Sequence, residues 1–210
     1  MADLWIRRED YEGRPLSADE IGTDPVQAIA AWVKDAWDRS EPQANAMCVA
    51  TVAGDGRPSA RTVLLKGVDH GLVFFTNYTS AKAADIAATA VAAANFTWLN
   101  IHRQVRASGS VEKISAQESD EYFASRPRGS QIAATASDQS SPLADRADLE
   151  EAFASIAEAH DGEVPRPDHW GGYRLIPDRI EFWQGRRSRM HDRIEFTRGN
   201  AGWTAQRLAP

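Results

Sequence analysis

Residues 46–67 read AMCVATVAGDGRPSARTVLLKG. Two runs rich in β-branched and apolar residues are separated only by GDGRP, a Gly/Asp/Pro turn. No helix fits in so short a connection, so the two strands must be antiparallel neighbours. The same pattern recurs along the chain. GLVFFTN at 71–77 is a third strand run, and VAAANFTWLN with RQVRASGSVEKI forms another adjacent pair. Three more runs, around YRLIPDRIEFWQ, SRMHDRIEF and GWTAQRLAP, end the chain. Strands this close in sequence specify a mainly β fold, an antiparallel sheet or barrel with peripheral helices, and not a regular βαβ alternation.

Helical segments fall between the groups of strands. In DPVQAIAAWVKDAWDRS, Asp24 is placed to cap the helix and Pro25 suits its first position. Val26, Ile29, Val33 and Trp37 repeat at three- and four-residue steps and predict its apolar face. SAKAADIAATA predicts a short helix starting at Ser80. AQESDEYFAS predicts one that stops near Arg126, because Pro127 disfavours helical geometry in the residue before it. PRGSQIAATAS restarts as a helix, LADRADLEEAFASIAEAH is the clearest long one, and GEVPRPDHW is a proline-stiffened connection. Residues 1–23 are polar without a clear period and read as an N-terminal arm. Residues 24–210 read as a single domain.

Composition excludes several classes. The lone Cys48 permits no internal disulfide and no cysteine metal cluster, and its apolar β-rich surroundings make it a core residue. That usage suits a reducing cytoplasm. The first residues, MADLWIRRED, lack a signal-peptide core, and no apolar run is long enough to span a membrane. The net charge of −6 argues against nucleic acid as a partner. The five histidines are scattered without metal-ligand spacing, so no metal is expected. There is no phosphate-binding P-loop, dinucleotide glycine fingerprint or Gly-x-Ser-x-Gly elbow.

Against that acidic background, residues 186–193 (RRSRMHDR) gather four arginines and a histidine. If this stretch is a strand, Arg189, His191 and Arg193 share one face at roughly 7 Å steps, with Met190, Asp192 and Ile194 on the other. Such a row needs anions or carboxylates opposite it. It is either an exposed strand face paired with glutamates or a specific anion site. Two further places suit an anion. Arg61 and Lys66 stand at the two ends of RTVLLK. In YFASRPRGS, Tyr122 and Arg126 share a helix face, and Ser130 lies in the first turn of the next helix. Two or three separate anion sites in one chain match two phosphorylated ligands.

Taken together, these segments resemble the pyridoxine/pyridoxamine 5′-phosphate oxidase family. EFWQGRRSRMHDR looks like its signature. ARTVLLKG, FFTN, HRQVRASG, YFASRPRGSQI, SDQSS, HWGGYRL and RLAP follow in the family's order, so the resemblance spans residues 8–210. It implies an FMN-binding split β-barrel working as a homodimer, with FMN between the subunits. It also implies oxidation of pyridoxine 5′-phosphate or pyridoxamine 5′-phosphate to pyridoxal 5′-phosphate by O2, yielding hydrogen peroxide and, from the amine, ammonia. By this resemblance Arg61, Thr62, Val63, Leu64, Leu65, Lys66, Phe75, Thr76, Lys82, Gln104, Gln139, Ser140, Trp183 and Arg193 bind the flavin. Lys66, Tyr122, Arg126 and Ser130 hold the substrate phosphate. Arg189, Met190 and His191 meet the substrate, with Arg189 and His191 as the catalytic pair. His191 either takes a proton or orients the phenolic oxygen. Arg8 and Tyr11 belong to an arm that closes over the substrate.

One position departs from the family pattern. After FFTNYTS the family usually carries Ser-Arg-Lys, whereas this chain has Ser80-Ala81-Lys82. The loss of one charge-assisted phosphate contact implies weaker FMN binding, by about ten- to a hundredfold. Two rival functions are a related flavin oxidase of another ring, as in phenazine biosynthesis, and a non-catalytic flavin- or pyridoxal-phosphate-binding protein. The intact YFASRPRGSQI and RMHDR segments favour the phosphorylated pyridine.

Overall fold

A computed structural model describes residues 10–210 of the chain. In order, the elements are α1 (Ala18–Ile21), α2 (Pro25–Asp38), β1 (Ala46–Val52), β2 (Pro58–Leu64), β3 (Gly67–Val68), β4 (Leu72–Asn77), α3 (Ala81–Thr89), β5 (Val91–Trp98) and β6 (Arg103–Lys113). There follow α4 (Ala116–Ser125), α5 (Arg128–Ala136), α6 (Arg146–Ala159), β7 (Trp170–Gln184), a 3-10 turn (Arg187–Arg189), β8 (Asp192–Gly199) and β9 (Gly202–Arg207).

Every strand pairing is antiparallel, and all the strands join one sheet in the order β2-β1-β5-β6-β7-β4-β3. The long β7 is its hub. One edge of β7 pairs with β6 along nearly its whole length. The other edge is divided: residues 170–175 pair with β4, and residues 179–184 pair with β8, which carries β9. Pro177 stands at the division. It has no N–H to give a ladder, and β6 shifts register between Ser108 and Gly109 opposite it. The sheet curls into a half-barrel with the helices at its periphery, a split β-barrel.

The inner face of the sheet packs around Phe74, Phe96, Val105, Leu175, Ile180 and Phe182, all fully buried. Helix α2 closes this core with Val26, Ile29, Trp32 and Ala36. Asp24 caps it by accepting from the Val26 and Gln27 N–H groups, as its sequence predicts. The face is turned slightly from the expected one. Trp37 is 61% exposed, while Trp32 is buried edge-on against Phe182 at 4.9 Å. Within the expected arm, residues 17–20 form a capping box at the start of α1, and Leu16 and Ile21 join the core.

The reading of residues 189–193 as one strand is corrected. Residues 187–189 form a 3-10 turn, and Ser188 and Arg189 take left-handed φ values of 56° and 62°. Strand β8 begins only at Asp192, so Arg189, His191 and Arg193 do not alternate along a single strand face. The exposed Ser188 and Arg189 turn the chain between β7 and β8.

A second, smaller core joins Phe123, Ile132, Val164 and Trp170 beneath α4 and α5. Gln131 fixes the corner between these helices. It is buried, and its amide donates to the carbonyls of Phe123, Ala124 and Arg126 at 3.1 Å each. They lie in the last turn and C-cap of α4, where the Phe123 carbonyl also accepts from the Arg126 N–H at 3.1 Å. Arg128 in turn donates to the Ala157, His160 and Gly162 carbonyls at the end of α6. The corner sets where Tyr122, Arg126 and Ser130 stand.

Candidate functional site

A cavity of about 560 Å³ opens where β2, β4, α4 and α5 meet. Arg61, Thr62, Val63, Leu64 and Lys66 line it from β2 and the residues after it, and Phe75, Thr76 and Lys82 from β4 and α3. Tyr122, Arg126, Ser130 and Gln139 complete it from the helical side. Segments spread over eighty residues of sequence thus meet in one place. Leu65 does not line the cavity: it is buried in the main core. Ser140 is exposed beside Gln139, with a left-handed φ of 79°.

The cavity is cationic. Arg61, Lys66, Lys82 and Arg126 line it, and among the described residues no aspartate or glutamate does. Lys82 is buried and donates to Thr76 Oγ1 at 2.9 Å, Ser80 Oγ at 3.3 Å and Gln139 Oε1 at 2.6 Å. All three partners are neutral oxygens. Burial, and then the Arg61 charge, push the Lys82 pKa down to about 8. Arg61 is braced from behind by Val49 O, Thr51 Oγ1 and Ser59 Oγ, and Asp85 lies 3.8 Å away. Burial lowers the Arg126 pKa too, and its Nη1 is buried without a hydrogen-bond partner. A cation pair short of counter-charge, together with a buried unpaired guanidinium nitrogen, fits a phosphorylated ligand.

The cavity also has a flat apolar wall. The Phe75 and Tyr122 rings stack at 3.9 Å, and Trp170 lies near-parallel to Phe75 at 5.4 Å. The Arg126 guanidinium sits 4.6 Å from the Trp170 ring centre, a cation–π contact that holds it in place. Gly172 permits this wall. A Cβ there would strike the Ile114 side chain and come within 3.0 Å of the Phe75 ring. Sequence reasoning assigned no role to Trp170, although the HWGGYRL motif contains it. Asp85 behind Arg61 and Gln131 beneath Arg126 carried no sequence signal of their own.

The remaining candidate residues form a separate group at the far end of β7. Trp183 stands eleven residues beyond Gly172, up to about 36 Å along a straight strand. It pairs in register with Gln104 on β6 and Arg193 on β8. His191 lies against it at 4.7 Å between ring centres. Tyr11 covers both rings, at 6.0 Å from Trp183 and 5.6 Å from His191, and packs on His102 at 4.4 Å. His191 Nδ1 accepts a hydrogen bond from the Arg186 N–H at 3.1 Å. Burial, then the nearby Arg189 charge, lower the His191 pKa, so the ring is neutral at pH 7. Its single proton is therefore assigned to Nε2. Arg189 and Met190 are exposed, Met190 by 68%. Arg8 lies outside the described residues.

Two family models match the chain, one on each side of residue 165. Residues 33–159 match the family described as pyridoxamine 5′-phosphate oxidase. Residues 170–210 match the pyridoxine 5′-phosphate oxidase C-terminal dimerisation region. The chain is 51% identical over 214 residues to the pyridoxine/pyridoxamine 5′-phosphate oxidase of Burkholderia cenocepacia, covering 100% of this chain and 99% of that one. It is 49% identical to the protein of the same name from Herminiimonas arsenicoxydans, covering 97% of each. Among solved structures it superimposes on PhzG from Burkholderia lata in complex with tetrahydrophenazine-1-carboxylic acid, with a TM-score of 0.90 and 28% identity over 96% of this chain and all of that one. A pyridoxamine 5′-phosphate oxidase-related FMN-binding protein from Nostoc punctiforme shares the fold, with a TM-score of 0.73, 19% identity and coverage of 89% of this chain and 98% of that one. The chain belongs to the pyridoxine/pyridoxamine 5′-phosphate oxidase family.

Proposed function

We propose that this protein is an FMN-dependent oxidase that converts pyridoxine 5′-phosphate or pyridoxamine 5′-phosphate to pyridoxal 5′-phosphate. O2 is the acceptor, hydrogen peroxide the second product, and ammonia is released from the amine. This is a step in making or salvaging the vitamin B6 cofactor, and we place it in the cytoplasm. The observation that carries the reading is the meeting of Arg61, Lys66, Lys82 and Arg126 in one carboxylate-free cavity beside an aromatic wall. Two phosphorylated, flat molecules match that combination of charge and shape.

FMN, when bound, supplies the hydride acceptor and the route to oxygen. The chain's own residues supply position and field. Arg61, Lys82, Thr76 and Gln139 are suited to hold the flavin phosphate and its neighbouring polar groups, with Thr62, Val63 and Leu64 alongside. Lys66, Tyr122, Arg126 and Ser130 are suited to hold the substrate phosphate, and so to fix the distance of the reacting carbon. Gln104, Trp183 and Arg193 approach the flavin from the other group, while Arg189, Met190 and His191 face the substrate there. With Nδ1 occupied by the Arg186 amide, a neutral His191 presents a donor at Nε2. That supports a role in orienting the substrate oxygen over a role as proton acceptor at that nitrogen.

The two groups of residues sit toward opposite ends of β7, and none of Gln104, Trp183, His191 and Arg193 lines the cavity of its own chain. We infer that a homodimer brings them to one ligand, each site taking the cavity of one subunit and the Trp183–His191 group of its partner. The match of residues 170–210 to a dimerisation region supports this. So does the outer face of β1, β2 and β5. It presents small side chains including Cys48, Ala50, Ala60, Thr62 and Ala93, and Asn95 Oδ1 on it is buried without a partner. Residues 24–210 act as one domain in this reading, with the preceding arm lying over the substrate.

The PhzG superposition raises the alternative of a larger ring substrate. Arg126, its Trp170 support and Ser130 favour a phosphorylated substrate instead. The test is product analysis. The FMN-loaded protein is given pyridoxine 5′-phosphate in air, and pyridoxal 5′-phosphate and peroxide are measured. Oxidation of a reduced phenazine carboxylate with no turnover of pyridoxine 5′-phosphate would establish the rival reading. Binding without turnover of either would establish a carrier.

A further inference from the structure

Glu181 grips Arg193 along one side of its guanidinium. Arg193 Nε donates to Glu181 Oε1 at 2.8 Å and Nη2 donates to Oε2 at 3.0 Å. On the other side, Nη1 donates to the Ala209 carbonyl at 2.9 Å, near the chain terminus. Of the five guanidinium N–H groups these bonds use three, leaving one on each terminal nitrogen. Arg193 is thus a two-pronged donor whose direction is set by its partners.

The Glu181 side chain is only 4% exposed, and Arg106 also donates to its carboxylate. Burial pushes the Glu181 carboxyl up, but the hydrogen bonds from Arg193 and Arg106 outweigh that effect and hold it below the ordinary carboxylate range. Stability alone is poorly served by this arrangement. Glu181 lies directly across the ladder from Glu195, a second buried carboxylate, and like charges opposite one another destabilise a sheet. Glu195 is taken up by Gln206 at 2.8 Å and Arg179 at 3.4 Å, so Glu181 alone faces Arg193 bidentately. Trp183 stands opposite Arg193 in register.

We infer that Glu181 is a positioning residue: its buried carboxylate aims the free N–H pair of Arg193 at the flavin. The inference rests on the proposed placement of Arg193 beside FMN. Glu181 itself touches no ligand, so its effect on FMN runs through Arg193.

Its test is a double-mutant cycle read as FMN affinity, by flavin fluorescence quenching on titrating the ligand-free protein. Arg193→Met is expected to weaken FMN about tenfold or more. Glu181→Gln should weaken it about tenfold, and the double variant no more than Arg193→Met alone. Arg106→Gln, which removes the other cation on the same carboxylate, should change FMN affinity less than about twofold. Because a buried carboxylate is being altered, Glu181→Asp is measured beside it. It keeps the charge, retracts it by one methylene, and should lose FMN affinity at an unchanged melting temperature. Additive losses in the double variant overturn the inference, as does normal FMN affinity in both Glu181 variants while Arg193→Met is weakened. If Arg193→Met itself binds FMN normally, the inference falls together with its premise, and that result is distinguishable from the others.

Discussion

Lys82 and Gln139, fifty-seven residues apart in sequence, meet through a 2.6 Å hydrogen bond from the buried ammonium to the amide oxygen, and Thr76 donates to the same oxygen at 3.0 Å. The loop after α5 is thereby tied to the start of α3. The contact satisfies a lysine without neutralising it, which leaves its charge for an incoming anion.

This arrangement predicts a pH dependence. In the free protein Lys82 titrates near pH 8. A bound phosphate favours the ammonium and raises that pKa, so FMN affinity should be full below about pH 8 and fall above it, by up to about tenfold per unit. Ligand-free stability should run the other way. The folded pKa of about 8 lies below the ordinary 10.5, so between those values the unfolded chain binds more protons and this residue's contribution rises with pH. FMN titrations from pH 7 to 9.5 check the first sign and thermal melts the second. Lys82→Met should flatten the FMN profile.

Restoring the missing cation should tighten the cofactor. No side chain caps the start of α3, and Ala81 is exposed at its first position. Ala81→Arg adds a charged donor beside Lys82 and should improve FMN affinity about ten- to a hundredfold. Equal or weaker affinity by fluorescence titration would mean that Ala81 is not a lost phosphate contact.

Much of this was legible in the sequence, and for identifiable reasons. GDGRP fixed the β1–β2 hairpin because turn chemistry is local, and Asp24-Pro25 fixed the start of α2 in the same way. Val26, Ile29 and Val33 meet the core as expected, but Trp37 was misplaced on the apolar face because a 3.6-residue period tolerates a small rotation. The packing of Trp32 on Phe182 decides it, and that contact lies 150 residues away. The left-handed Ser188 and Arg189 carry no glycine or asparagine to announce a turn, so a strand was expected there. The brace of Asp85 behind Arg61 and the clamp of Glu181 on Arg193 depend on strand register, which single motifs do not reveal.

The shared-site reading predicts complementation between subunits. A chain with Lys66→Met and Arg126→Met loses the cavity group, and a chain with His191→Ala and Arg193→Met loses the other. Each should be inactive alone. After the two are unfolded and refolded together, half the dimers are hybrids, and each hybrid holds one intact site. About a quarter of parental activity should return. Failure to recover activity, in mixtures shown by mass to contain hybrids, would place both groups at one site within one chain.

Arg189 and Arg193 should separate in their effects. Arg189 is exposed on the turn beside His191, while Arg193 is clamped between Glu181 and Ala209. Arg189→Met should keep near-normal FMN content and lose about tenfold or more in kcat/KM for pyridoxine 5′-phosphate. Arg193→Met should lose flavin first. The reverse pattern would mean that the two assignments are exchanged.

The central claim is that this cavity recognises phosphate on both cofactor and substrate, and oxygen uptake by the FMN-loaded protein tests it most directly. With pyridoxine 5′-phosphate, uptake should saturate and match pyridoxal 5′-phosphate formed. With pyridoxine lacking the phosphate, kcat/KM should fall by about a hundredfold or more, since several charged hydrogen bonds of roughly 1.5–3 kcal/mol each are lost. Arg126→Met should narrow that ratio by lowering only the rate with the phosphorylated substrate. Equal rates with the two substrates, or no oxidation of pyridoxine 5′-phosphate by protein carrying a full complement of FMN, would contradict the account.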